Sequence, residues 1–348
     1  MGHEMIFYIY GLCTMFYAMM AWMFGTHGRD RLWRLVTLLM AVLCAECVKD
    51  VFFLEGDSYG SSWQWTVVTA MDMVAVPMYG FILRELCTPG RLSWRRVILE
   101  EVPFVTLPVV LVLTHNEIFY VANVVWAAVY GVYYFVWTLV QIPKYHRHLK
   151  ETFSYTENIN LNWLRIILVI FFCLIILWTV DSFLINFEVE STYMVGSMVA
   201  WMFLCYFLYR HESVISELED LEGRDLNKEV QPEKELDVTE IGIRIEHLML
   251  VQKAYLNPRL KVSDVANRIG SNRTYVSKWF NEGERSSFFD YVNRLRINHA
   301  CELLKTTEEP MKYVAEHSGF NSTATFYRLF GNVKGITPSE YREQTTRS

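Results

Sequence analysis

Lysine and arginine are missing from three of the short stretches that separate apolar runs in the first 210 residues of this 348-residue chain. Strand-like alternation of apolar and polar residues is missing too, and so is a cysteine framework. Cys13, Cys44, Cys47, Cys87, Cys173 and Cys205 are scattered over apolar segments and Cys301 stands apart. An odd count so distributed excludes a disulfide-stapled secreted domain. Cys44 and Cys47 have the spacing of a redox or metal pair, but no second pair accompanies them and no histidine is near, so they read as small apolar filling. There is no His-Glu-x-x-His, no apolar run with a histidine beside a carboxylate, and no receiver, kinase or phosphate-loop signature. The chain is therefore expected not to be an enzyme, and to need neither cofactor nor metal.

What is present divides by region. Residues 1–210 are apolar and rich in aromatics and methionine. Residues 211–240 hold eleven Asp and Glu against Arg224, Lys228 and Lys234. From 241 onward basic residues exceed acidic ones by about five, although the whole chain carries −6. Charge asymmetry between regions informs more than the sum.

A bilayer core of about 30 Å takes roughly 20 apolar residues of helix. Seven runs qualify: about 5–24, 33–54, 64–83, 97–114, 118–142, 163–186 and 192–209. The first has no basic segment before it and reads as a span rather than a cleavable signal. The fourth is the shortest and contains Pro103 and Pro108. Arg29, Arg31 and Arg34 follow the first run, Arg84, Arg91, Arg95 and Arg96 the third, Lys144, Arg147 and Lys150 the fifth, and Arg210 the seventh. The intervening loops carry Glu55 and Asp57, Glu117, and Glu188 and Glu190 instead. Basic loops stay cytoplasmic, so the pattern predicts a seven-helix membrane bundle, N-terminus outside and C-terminus in the cytosol.

Charges inside spans are costly and face a bundle interior or water. Glu46, Lys49 and Asp50 fall in the second run, Asp72 in the third and Asp181 in the sixth. Counting about 1.5 Å per residue from the span ends puts all five in the outer half of the bilayer. Trp65, Trp126 and Trp178 lie at similar depth. Two readings remain open. One is an aromatic-walled pocket for a small ligand, with four carboxylates against one lysine favouring a cationic ligand, a cation or partial protonation. The other is a structural ion-pair cluster.

Residues 211–240 read as a linker. Val214, Ile215, Leu218 and Leu221 fall at helical spacing, long enough for a short coiled coil between two subunits or for a solvated helix. The part around Pro232 reads as flexible tether.

From 241 to the end an approximate repeat stands out. Val262-Ser-Asp-Val265-Ala266-x-x-x-Gly270 matches Met311-Lys-Tyr-Val314-Ala315-x-x-x-Gly319, 49 residues on. After the turn, Lys278-Trp279-Phe280 matches Arg328-Leu329-Phe330 at a spacing of 50. Each copy predicts helix, glycine turn, helix, with the alanine where two helices cross closely.

This region resembles the DNA-binding domain of the AraC/XylS family of transcription regulators. In the first unit the matching residues are Ala266, Ser271, Tyr275, Val276 and Phe280. In the connecting helix they are Phe288, Tyr291, Arg296, Ala300, Leu303 and Leu304. In the second unit they are Val314, Ala315, Gly319, Phe320, Phe326, Arg328, Phe330, Gly335, Thr337, Pro338, Tyr341 and Arg342. Two departures stand out. Asn281 and Gly331 occupy the positions after the two phenylalanines where the family usually has lysine. Arg285 stands five residues after Phe280 where the family often has glycine, with Gly283 displaced earlier.

With the bundle (1–210), then in a bacterial inner membrane, and the linker (211–240), the resemblance completes an all-α chain ending in a cytosolic double helix-turn-helix domain (241–348). Its partners would be the bilayer and double-stranded DNA, read in two successive major-groove segments. The second helix of each unit puts its N-terminal residues at base edges. With Phe280 inward, Arg273, Thr274, Ser277 and Lys278 point out. With Phe330 inward, Thr323, Ala324, Tyr327 and Arg328 do. Asn272 and Ser322 stand at helix starts, for DNA contact or for capping. Homodimers through the linker, a small-molecule or protein signal, and control by docking to another membrane protein complete the expectations.

Overall fold

The computed structural model describes residues 2–27, 30–54, 62–157, 159–184, 187–210 and 238–346. Every described element is helical, apart from one isolated antiparallel bridge between Phe153 and Lys261. Two compact units form: Met1–Pro143 with Leu161–Glu222, and Lys144–Asn160 with Gly223–Ser348.

In the first unit, α1 (Gly2–His27), α2 (Arg31–Leu54), α3 (Ser62–Asp72), α4 (Val76–Cys87), α5 (Trp94–Thr114), α6 (Ile118–Thr152), α7 (Asn162–Leu184) and α8 (Phe187–Arg210) cover the seven apolar runs. Phe7–Thr26, Thr66–Cys87, Trp94–Thr114, Ile118–Thr152 and Ser191–Arg210 are long and apolar enough to cross a membrane. α2 is as long, and carries Glu46, Lys49 and Asp50 in its C-terminal half. α7 is apolar through Leu177.

The third run is broken where its sequence requires. Pro77 has no N–H to give the carbonyl four residues back, so Met73–Ala75 tightens into a 3-10 turn between α3 and α4, closed by Val76 N–H to Met73 O. α5 instead carries Pro103 and Pro108 without a break and starts earlier than the apolar run, with Ser93 capping Arg96 N–H. Arg84 lies in α4 rather than in a loop. It is buried, stacked on Trp137 and bonded to the Tyr134 hydroxyl, whose proton goes to Glu100 at 2.6 Å.

The largest departure from the sequence reading is α6. It runs 35 residues through Pro143 and past Lys144, Arg147 and Lys150, a length of about 52 Å where the apolar run stops near 142. Its last turns and the segment after them, Lys144–Asn160, group with the C-terminal residues in the second unit. Basic residues look like a loop to hydropathy, although lysine and arginine are good helix formers.

The second unit continues with α9 (Val238–Glu246), π and 3-10 turns to Leu256, α10 (Val262–Ile269), α11 (Arg273–Lys278), α12 (Phe288–Thr306), α13 (Met311–His317), α14 (Thr323–Lys334) and α15 (Pro338–Thr346). α12 is its spine. Phe288, Tyr291 and Val292 face one core, with Val262, Val265, Val276 and Phe280. Phe289, Ile297, Ala300 and Leu304 face the other, with Val314, Phe326 and Phe330. Phe280 and Phe330, 50 residues apart, are each at most 1% exposed. Burial of such a side chain stabilises by about 1.5–3 kcal/mol. The linker expectation falls on 211–237, outside the described residues.

Candidate nucleic-acid interface and bundle cavity

The two units of the C-terminal domain repeat at the level of single hydrogen bonds. Gly270 and Gly319 both adopt the left-handed conformation, at φ 67° and 83°. In each, the next residue reaches back to the alanine of the first helix: Ser271 N–H to Ala266 O at 2.9 Å, and Phe320 N–H to Ala315 O at 3.0 Å. The alanines are buried, as close crossing of the helices requires. The asparagine and serine at the starts of α11 and α14 cap them. Asn272 Oδ1 accepts from Thr274 N–H, and Ser322 Oγ from Thr325 N–H. The second helices end alike, with Arg285 at φ 51° and Gly335 at φ 76°, again 50 residues apart. Arg285 thus holds a backbone shape that favours glycine, and α11 passes through a π turn, Trp279–Gly283, before reaching it.

A family model described as a helix-turn-helix domain matches residues 265–344. Residues 265–344 form a helix-turn-helix domain of the AraC/XylS family. The melibiose operon regulatory protein of Escherichia coli K12 is 32% identical over 84 residues, 24% of this chain and 28% of that protein. Regulatory protein PocR of Salmonella typhimurium is 33% identical over 91 residues, 26% of this chain and 30% of that protein. The chain thus spans less than a third of these relatives. The C-terminal domain of the response regulator yesN from Fusobacterium nucleatum aligns at 27% identity over 29% of this chain and 96% of that one, with a TM-score of 0.27.

On this AraC-type domain, Thr274 and Lys278 are exposed on α11, and Ser277 is half-buried beside them. Lys278 is 3.8 Å from Glu282, a solvated pair of little energy. On α14, Arg328 is exposed and Thr323 half-buried at the helix start. Tyr327 packs partly against the second core, and its hydroxyl lies 3.3 Å from Ser339 Oγ. Arg273 points its guanidinium at Thr152 Oγ1, 3.3 Å away at the end of α6. The sequence gives no sign of that contact, because the two residues are 121 positions apart.

In the bundle, Glu46, Lys49, Asp50 and Asp72 come together. Lys49 is bonded to Asp72 and to Val68 O, and pairs with Asp50 at 3.0 Å. Two of the four carboxyl groups weighed from sequence go further: Glu46 and Asp72 line a cavity of about 190 Å³. The Asp181 side chain lies outside the described residues, as do those of Trp65 and Trp178. Trp126 is 43% exposed and is not on this wall. The aromatics that are include Tyr79, Phe171 and Trp201, with ring centroids 5.2–6.1 Å apart. Tyr193, Ser197 and Trp201 share the wall at four-residue intervals along α8, a spacing legible in the sequence.

Gly56-Asp57-Ser58-Tyr59-Gly60 has the Gly-x-Ser-x-Gly spacing of a nucleophile elbow. That chemistry needs a strand-to-helix turn. Here the preceding element is α2, and residues 55–61 lie outside the described residues.

Proposed function

We propose that the chain is a membrane-bound transcription regulator that reads DNA by sequence through its AraC-type domain and takes its signal through the helical bundle. The repeated turn and cap geometry of the two units supports this most directly, because it presents two equivalent reading helices on one rigid spine. Basic residues after α1 and α4 and at the ends of α6 and α8 favour the C-terminal domain in the cytosol, where DNA is. Arg273, Thr274, Ser277 and Lys278, with Thr323, Tyr327 and Arg328, would supply base and phosphate contacts.

The signal we favour is a small organic cation held by Glu46 and Asp72 against the Tyr79, Phe171 and Trp201 rings. Lys49 pairs with Asp50 and Asp72, so three carboxyl groups share one lysine beside the cavity. Rings stabilise a cation electrostatically. A cavity of about 150 Å³ admits benzene, so this one has room for a compact amine. Pairing of two chains through the acidic linker would set two domains on a pseudo-palindromic site; mass photometry in nanodiscs tests that pairing.

The function is tested with the full chain in lipid nanodiscs, offered a random duplex library. Enrichment of one motif, relaxed at one base position on Arg328→Ala, is expected. Recovery of random sequence would refute sequence reading. Replacing the spans with one unrelated anchor should abolish signal response. A response that survives would refute sensing by the bundle.

A further inference from the structure

Residues 150–155, from the last turn of α6 onward, make specific contacts with the AraC-type domain. Ser154 N–H donates to Leu260 O at 3.1 Å beside the Phe153–Lys261 bridge. Arg296, 1% exposed, donates to Ser154 O and Ser154 Oγ, both at 3.0 Å, and also to Tyr255 O, Asn257 O and Asn293 Oδ1. Asn293 Nδ2 donates to Ser154 O at 3.1 Å. Lys150 lies 3.8 Å from Asp290 and over the Phe289 ring, and Arg259 lies over Tyr155. Thr152, Phe153 and Ser154 are each 1% exposed.

A buried guanidinium must satisfy its donors or forfeit their solvation. Two of the five Arg296 bonds end on Ser154, and the rest stay inside the domain. Release of the segment would therefore open two donors to water and leave the domain's own bonds in place. The segment also holds something DNA would use. Arg273 is the first residue of α11, at the end where reading helices meet base edges, and its guanidinium is turned to Thr152.

We propose that residues 150–155 form a latch in cis, which docks on the first helix-turn-helix unit and withholds Arg273 from DNA. The latch continues directly from a span, so a change in the bundle reaches the reading helix through α6 without passing through the linker. This rests on DNA reading by the first unit.

The test uses full-length chain in nanodiscs carrying Phe153→Cys and Lys261→Cys. Residues facing each other across an antiparallel bridge have Cα atoms about 4.5–5.5 Å apart, within the span of a disulfide. Copper-phenanthroline closes the pair, taking two electrons as the two thiols lose their protons, and dithiothreitol reopens it. The single variants control for native cysteines. The probe is a fluorescent duplex selected by the wild-type chain.

The oxidised form should bind the duplex about tenfold more weakly than the same sample after reduction. Phe153→Asp, which cannot dock, should bind about tenfold more tightly than wild type, the factor for a latch closed about nine-tenths of the time. Equal binding by oxidised and reduced forms would overturn the latch, even if Phe153→Asp fails to fold. Binding by no form at all would instead overturn DNA reading.

Discussion

Gly270 and Gly319 occupy equivalent turns, yet alanine should not cost the same at both. Each glycine is left-handed, a conformation that costs a residue with a Cβ about 1–2 kcal/mol. Alanine recovers about 0.4–1 kcal/mol by stiffening the unfolded chain. Around Gly270 nothing lies within 4 Å of a Cβ, so Gly270→Ala should cost about 1 kcal/mol. At Gly319 a Cβ would come within 2.8 Å of Leu256 O and 2.9 Å of Leu256 Cα and Tyr255 O. These are backbone atoms and cannot turn aside, so overpacking adds about 1–3 kcal/mol. Gly319→Ala should therefore cost about 2–4 kcal/mol. The same backbone run connects α9 to the first unit, so the second unit should loosen against it. Hydrogen exchange of the Phe320 and Ser271 amides in the full chain is the assay. Phe320 exchange in Gly319→Ala should accelerate about 10- to 100-fold more than Ser271 exchange in Gly270→Ala. Equal acceleration, or a larger effect at Gly270, would refute the close-approach reasoning.

Other perturbations follow from the same geometry. Arg285→Gly relieves left-handed strain and should stabilise the domain by about 0.5–1 kcal/mol net of the entropy glycine adds to the unfolded chain; a lower thermal midpoint would count against it. Asn272→Ala and Ser322→Ala each remove a cap and should cost about 1 kcal/mol in denaturant titrations. Lys278→Ala should weaken binding evenly across sequences and lower the salt slope by about one, whereas Arg328→Ala should cost about 1–3 kcal/mol and relax one base position; anisotropy at several salt concentrations separates them. Glu46→Gln should abolish quenching of tryptophan fluorescence by an organic amine while leaving insertion intact; unchanged quenching would return the acidic cluster to a structural role.

The DNA-binding half was legible because its constraints are local. A glycine that must be left-handed, an alanine that must be small and a phenylalanine that must be buried recur 49 or 50 residues apart, and spacing alone exposes them. Arg285 was legible as a departure from the family pattern and yet takes the same left-handed backbone shape as Gly335. The seven apolar runs were legible from length, and the break after Met73 follows from Pro77. The end of α6 was not, because Lys144, Arg147 and Lys150 carry no apolar signal and their partners lie more than a hundred residues away. In the bundle, buried charge located Glu46 and Asp72. Their partners depended on packing: Lys49 pairs with Asp50 and Asp72, and the wall rings come from α4, α7 and α8 rather than from Trp126.

The central claim is sequence-specific reading of DNA by a chain held in the membrane. Mapping of DNA cross-linked in living cells to the full-length chain, recovered from the membrane fraction, tests it most directly. The account predicts discrete sites with two elements about one helical turn, 10–10.5 base pairs, apart, lost in an Arg273→Ala, Arg328→Ala double variant. Uniform recovery of the genome, or the same sites in the double variant, would contradict it.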